Sequence, residues 1–97
     1  MNLNVQSIKF DADRKLIEFI EKKISKLEKF FDGIVGADVY LRLNNQPVEN
    51  KKVEIRLKVP GYDIFAERES KSFEESTDLC IDALKTQLTK AKEKMRA

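Results

Sequence analysis

Basic side chains are the residues with the clearest chemical potential in this chain, and they concentrate near its C-terminal end. The last sixteen residues, DALKTQLTKAKEKMRA, hold four lysines and one arginine. Cationic groups on one surface can bind the phosphate oxygens of RNA, with an affinity that falls as salt rises. The same charges occur on ordinary solvated helices, where cations near the C-terminus favour the helix dipole. Both interpretations of this segment stay open at the level of residue type.

Groups suited to catalysis or metal binding are few. The 97 residues contain no histidine and one cysteine, Cys80, so a disulfide, a Cys/His zinc site and a histidine-based catalytic pair are all excluded. Cys80 falls on an apolar helical stripe and is predicted to be a small buried hydrophobe. The acidic pairs Glu74–Glu75 and Glu67 with Glu69 are predicted to cap a helix and to solvate a strand end. We therefore expect no enzyme activity, no catalytic residue, no metal and no cofactor.

The composition fits one small domain spanning residues 1–97. Apolar residues make up 41% of the chain and the net charge is +2, which is too mild to indicate a nucleic-acid partner by itself. The start, MNLNVQSIKF, alternates polar and apolar residues where a signal peptide needs a continuous apolar stretch. No later run approaches the length that spans a membrane. These features predict a soluble cytoplasmic protein without a membrane partner.

The first part of the chain is predicted to form a strand and then a helix. Residues 3–10 are predicted to form a strand with a bulge near Ser7, because the apolar positions change phase there. Asp13 can cap the helix that follows, and Gly33 and Gly36 are predicted to end it. The helix is predicted from apolar residues at three- and four-residue spacing: Leu16, Ile17, Ile20, Ile24, Leu27 and Phe31.

The rest of the chain is predicted to form three strands, the last two joined as a hairpin, and then a long helix. Residues 38–43 and 52–59 alternate apolar with polar side chains, which is typical of half-buried strands. Pro60–Gly61 suits a type II turn, so a return strand is predicted from about Tyr62 to Glu67. Ser72, three residues before Glu75, predicts a helix cap. The last helix has its own apolar stripe: Phe73, Thr77, Cys80, Ile81, Leu84, Leu88, Ala91 and Met95.

The predicted element order is β-α-β-β-β-α, which defines an α+β fold. The strands alternate, so one face of a four-stranded sheet is exposed to water, and both amphipathic helices must cover the other face. The chain is thus predicted to be a two-layer sandwich. At 100° per residue, lysines fall on the outward sides of both helices: Lys15, Lys22, Lys26 and Lys29 in the first, and Lys85, Lys90, Lys92, Lys94 and Arg96 flanking the stripe of the second.

Two segments resemble the ribosome hibernation promoting factor family, which includes protein Y. They are ISKLEKFFD (24–32) and IDALKTQLTKAKEKM (81–95), and the resemblance extends over nearly the whole chain. It implies a fold like a double-stranded RNA-binding domain, and binding to the small ribosomal subunit and its rRNA in the mRNA and tRNA channel. It also implies inhibited translation under stress or in stationary phase and, in the hibernation-promoting branch, ribosome dimers.

The resemblance also implies binding residues. By position, the family's lysines correspond to Lys23 and Lys26 in the first helix and to Lys90, Lys92 and Lys94 in the second. The family's charges at Ala83 and Thr86 are absent here. With Lys85 and Arg96 from the other flank, the expected rRNA-binding set is Lys22, Lys23, Lys26, Lys85, Lys90, Lys92, Lys94 and Arg96.

Two other functions stay open at the level of residue type. One is a protein-binding adaptor that uses the exposed sheet face, where an aromatic mixes with charges. The other is a free-standing binder of duplex RNA that reads A-form shape. The sheet-face residues concerned are Tyr40, Arg42, Glu54, Arg56 and Lys58.

Overall fold

Two helices pack on one face of a four-stranded sheet in this computed structural model, which describes the backbone of residues 1–96 and the side chains of residues 1–92. The strand order is β1-β2-β3-β4, with β1 parallel to β2 and the other neighbours antiparallel. The predicted α+β sandwich is confirmed. Its elements are β1 (Asn2–Ser7), α1 (Arg14–Phe30), β2 (Gly36–Leu43), β3 (Lys51–Val59), β4 (Tyr62–Ser70) and α2 (Phe73–Arg96).

The core lies between the sheet and the helices. Alternate residues of β2, β3 and β4 point toward the helices, and the predicted helical stripes meet them. Burying one large aliphatic side chain contributes roughly 1.5–3 kcal/mol, so this layer is the main source of stability. Fully buried members are Ile20, Ile24, Leu27, Val39, Leu41, Val53, Ile55, Leu57, Cys80, Leu84 and Leu88.

The predicted bulge near Ser7 is wrong. β1 pairs with β2 in an unbroken register and ends at Ser7, three residues before the predicted end of the strand. Lys9 then adopts a left-handed φ of 66°. This turn carries Phe10 off the sheet, and its ring stacks on that of Phe73 with centroids 5.2 Å apart. The change of phase in the sequence therefore marks a turn toward α2.

The ends of α1 follow local signals in part. The Asp13 carboxylate accepts a 2.8 Å hydrogen bond from the Leu16 backbone N–H, which confirms the predicted cap. The helix ends at Phe30, and Gly33 has a φ of 103° in the following turn. Gly36 was predicted to help end the helix, but it is the first residue of β2. A Cβ there would lie 3.0 Å from the Asn2 carbonyl oxygen, so glycine serves the close approach of β1.

Replacing the cap gives a first test of this local structure. Asp13→Ala removes the acceptor for the Leu16 N–H and is expected to lower the free energy of unfolding by about 1 kcal/mol. The matched control is Asp11→Ala, an equal change at an exposed neighbour that lies outside the helix. Urea denaturation followed by circular dichroism measures both variants. Equal losses in the two variants would contradict the assigned role of Asp13.

The β3–β4 hairpin and the start of α2 are joined by hydroxyl groups. Gly61 has a φ of 89° at the predicted Pro60–Gly61 turn, and β4 continues to Ser70, beyond the predicted Glu67. The buried Ser76 hydroxyl donates to the Lys51 carbonyl at 2.6 Å and lies 2.7 Å from the Ser70 hydroxyl. These bonds satisfy polar groups inside the core and tie α2 to the sheet edge.

Candidate nucleic-acid interface

The outward side of α1 and α2 forms one surface, which we call the helical face. The two helices run side by side in the same direction. Lys23 contacts Asp78, and Phe30 contacts Lys85, seven residues further along both helices. Both C-terminal ends therefore lie at one end of the molecule. The exposed basic residues that the structure describes on the two helices are Arg14, Lys15, Lys22, Lys26, Lys29, Lys85, Lys90 and Lys92, of which Arg14 forms a 3.1 Å ion pair with Glu18.

Five of the eight predicted binding residues have exposed side chains on the helical face. They are Lys22, Lys26, Lys85, Lys90 and Lys92. Lys23 is different: it is half-buried, its Nζ forms a 3.0 Å ion pair with Asp78 and lies 5.3 Å from the centre of the Phe19 ring. A phosphate would have to compete with both contacts. Lys94 and Arg96 lie outside the described side chains, although their backbone belongs to α2.

Most lysines of the helical face form no direct ion pair with the described part of the chain. Within residues 1–92, no carboxylate lies within 4 Å of the ammonium groups of Lys22, Lys26, Lys29, Lys85, Lys90 or Lys92. Glu18 and Glu21 line the same depression as Lys22, Lys26 and Lys29 without pairing with them, so three ammonium groups outnumber two carboxylates there. An excess of positive charge produces a potential that attracts polyanions. Such a surface binds phosphates as point charges, which gives affinity but little reading of base sequence.

Most charges of the opposite surface, the open sheet face, form ion pairs with one another, and Arg56 is an exception within residues 1–92. A hydrogen bond to Glu67, with further nearby carboxylates, raises the pKa of Lys52 above its ordinary value although partial burial lowers it. A polyanion therefore meets less net field here than on the helical face. The ion pairs are Arg42 with Glu54 (2.9 Å), Lys52 with Glu54 (3.7 Å) and Glu67 (3.3 Å), and Lys58 with Asp38 (3.3 Å).

Two shallow hollows on the helical face add residues to the predicted set. Lys29 lines an open depression of about 440 Å³ beside Lys22 and Lys26. Its spacing of seven and three residues from those two lysines was visible in the sequence as one helical row. Thr89 shares a depression of about 360 Å³ with Lys85 and Lys90. A threonine hydroxyl can donate to a phosphate oxygen, but its type and spacing alone carried no signal.

Ala83 and Thr86, where the resemblance led us to expect basic side chains, have different surroundings. Ala83 is partly buried and packs against the core, while the exposed Thr86 donates a 3.1 Å hydrogen bond to the Asp82 carbonyl. Lys85 faces α1, since its Nζ lies 5.9 Å from the centre of the Phe30 ring. The ammonium group of Lys85 thus lies on the α1 side of α2, and Lys85 also lines a shallow depression together with Thr86.

Cys80 has the surroundings of a structural residue. It is buried, its thiol donates to the Val53 carbonyl at 3.3 Å, and burial raises its pKa to about 12. The protonated thiol is a poor nucleophile. Among the described residues, no group of three or more His, Cys, Asp or Glu side chains could hold a metal ion. Neither α1 nor the described part of α2 combines the length and apolar character needed to cross a membrane.

Comparison with known protein families identifies relatives over nearly the full chain. Residues 3–96 match the family described as Sigma 54 modulation protein / S30EA ribosomal protein. The ribosome hibernation promoting factor of Escherichia coli K12 is 34% identical over 96 residues, covering 99% of this chain and 98% of that protein. The one from Azotobacter vinelandii is 33% identical over 94 residues, covering 97% and 85%.

Solved structures show the same architecture. A ribosomal subunit interface protein from Coxiella burnetii superposes with a TM-score of 0.86 at 29% identity, covering 96% of this chain and 99% of that one. The N-terminal domain of Thermus thermophilus protein Y gives a TM-score of 0.79 at 25% identity, covering 93% and 98%. The order of elements, the sheet and the placement of both helices therefore match those of proteins with related sequences.

Proposed function

The chain belongs to the Sigma 54 modulation protein / S30EA ribosomal protein family, and from this premise we propose that it is a ribosome hibernation factor. Its relatives at 33–34% identity are named ribosome hibernation promoting factors. The ribosome is thus its partner, and the protein acts where ribosomes are, in the cytoplasm. In this role it binds ribosomes under stress or in stationary phase and keeps them from translating.

The observation that carries the finer proposal is the difference in charge between the two surfaces. Exposed lysines of the helical face lack carboxylate partners within residues 1–92, whereas those of the open sheet face are paired. The helical face is therefore the side that meets rRNA phosphates. Its binding residues are Lys22, Lys26, Lys29, Lys85, Lys90 and Lys92. Lys23 and Lys94 are retained from the resemblance, and Arg96 from its expected position on the flank of the α2 stripe.

The mechanism is competitive occlusion by one rigid domain. Residues 1–97 act as a single ribosome-binding unit whose fully buried core holds both helices on the sheet. Phosphate contacts position the domain on the rRNA of the small subunit, in the channel that mRNA and tRNA otherwise occupy. No bond is made or broken, because the domain needs only to fill the volume that the substrates require. Translation stops for as long as the domain remains bound.

Sedimentation of stationary-phase lysate through sucrose gradients tests this proposal. At low salt, an antibody against the protein is expected to detect it in the fractions of small subunits, single ribosomes or ribosome dimers. In gradients at high salt it should move to the top, because phosphate contacts weaken as counterions compete. Recovery only in the soluble fractions at low salt would overturn the proposal. Binding to dissociated large subunits alone would refute the assignment to the small subunit.

The open sheet face supports a second candidate, a protein-binding adaptor. Phe65 is 44% exposed there, and the Arg56 guanidinium lies 6.0 Å from the centre of its ring. Exposed aromatics beside arginine are enriched in protein interfaces. Loss of ribosome binding after Phe65→Leu, with the helical face unchanged, would favour this candidate.

A further inference from the structure

A hollow lies at the C-terminal end of α1, beside the last third of α2. It has a volume of about 270 Å³ and is lined by Lys29, Phe30, Phe31, Asp32 and Lys92. Phe30 is 48% exposed although it is a large apolar residue. The hollow is smaller than typical pockets for drug-sized ligands, which begin at roughly 300 Å³. Its size fits one planar ring system with its attached phosphate outside.

The groups around this hollow differ from those of the plain lysine rows. Lys29 and Lys92 come from different helices and both line it, and the Lys85 ammonium lies 5.9 Å from the centre of the Phe30 ring. Lysine stems are flexible, so this ammonium can turn from the ring to a phosphate. Among the described residues that line the hollow, Asp32 is the one acidic residue, and its carboxylate repels phosphate. A site for bare phosphate would not place an acid beside an exposed phenyl ring.

We infer that this hollow binds one unpaired nucleotide of RNA. The base stacks on the Phe30 ring, its phosphate meets Lys29 or Lys92, and an amino group on its edge donates to the Asp32 carboxylate. Aromatic side chains bind unstacked RNA bases in this way, and base edges supply the specificity. Guanine fits best, because its N1–H and amino group are adjacent donors that match two carboxylate oxygens. The inference rests on the proposed function for the presence of RNA.

Titration with nucleotides tests the site without ribosomes. The probes are GMP, UMP and ribose 5-phosphate at equal ionic strength, and the readout is the NMR spectrum of the aromatic rings. GMP is expected to shift the Phe30 ring signals more than UMP does, and ribose 5-phosphate should leave them in place. Asp32→Asn should remove the preference for GMP over UMP. Equal ring shifts with ribose 5-phosphate and GMP would overturn the inference.

Ribosome binding tests whether the site is used. Phe30→Leu keeps an apolar side chain but removes the stacking surface, and it is expected to weaken ribosome affinity about tenfold. Phe30→Tyr should bind as the wild type does. Tyr62→Leu is the matched control, because Tyr62 is a similarly exposed aromatic residue at the start of β4 and does not line the hollow.

The two proposals fail in different ways. If wild-type protein does not bind ribosomes, the proposed function fails, whatever the nucleotide titration shows. If wild-type protein binds ribosomes and Phe30→Leu binds equally well, or if Tyr62→Leu loses as much affinity, the stacking site is refuted while the ribosome remains the partner. Thermal melting of each variant excludes unfolding as the cause of a loss.

Discussion

Reversing Lys26, Lys90 and Lys92 to glutamate is expected to weaken ribosome binding by at least about 100-fold. Each lysine that contacts a phosphate releases roughly one counterion on binding, so losing three should reduce the slope of log affinity against log salt by about 3. All three side chains are exposed, and no carboxylate of residues 1–92 partners them. The free energy of unfolding should therefore change by less than about 1 kcal/mol.

The control for this experiment carries the same change in charge at other positions. Lys9, Arg56 and Lys71 are exposed, and within residues 1–92 none of them forms an ion pair. Their reversal to glutamate lowers the net charge by the same amount but lies off the helical face. Affinity and salt slope are measured by co-sedimentation with purified ribosomes at several salt concentrations. If both triple variants lose affinity equally, net charge and not the helical face governs binding.

Lys23 is left out of this variant because of its surroundings. The resemblance implies that Lys23 is one of the binding lysines. Its ion pair with Asp78 could not be predicted from the sequence, because the two residues lie on different helices and their register depends on how both helices pack on the sheet. Reversing Lys23 would place a glutamate beside Asp78 and destabilise the fold, so a loss of binding could come from either unfolding or a lost rRNA contact.

The fold was predictable where a local pattern had one structural solution. Alternating residues in β3 and the Pro60–Gly61 turn defined the hairpin, and the Asp13 cap defined the start of α1. At the end of β1, two local structures fitted the same sequence pattern. A bulge and a turn both explain the change of phase after Ser7, and only the contact of Phe10 with a residue far along the chain selects the turn.

The candidate site was predictable as a set of lysines but not as a shape. Helical spacing placed Lys22, Lys26 and Lys29 on one row and the lysines of α2 on the flanks of its stripe, and the resemblance added Lys23. The hollow around Phe30 depends on the parallel arrangement of the helices, which brings residues 29–32 beside Lys92. Helical periodicity gives the direction of each side chain around its own axis, but contains no information on the offset between two helices.

The arrangement of the helical face depends on the core beneath it. Lys85, Lys90 and Lys92 are held in place by the anchoring of α2 through Leu84 and Leu88, both fully buried. Leu84→Ala is expected to lower the free energy of unfolding by about 2–5 kcal/mol, since it removes buried contacts and leaves a cavity. That is a large share of the roughly 5–15 kcal/mol that stabilises a small domain.

Leu79→Ala on the same helix is the matched control, because Leu79 is 40% exposed and its truncation leaves no enclosed cavity. It should lower the free energy of unfolding by less than about 1 kcal/mol. Urea denaturation gives both values, and co-sedimentation with ribosomes at 10 °C gives the apparent affinity of each variant.

If α2 holds the lysines as a rigid element, the apparent affinity of Leu84→Ala falls only in proportion to its unfolded population. A larger loss in fully folded protein would show that packing at Leu84 also sets the geometry of the binding surface, while equal stabilities of the two variants would refute the assigned core.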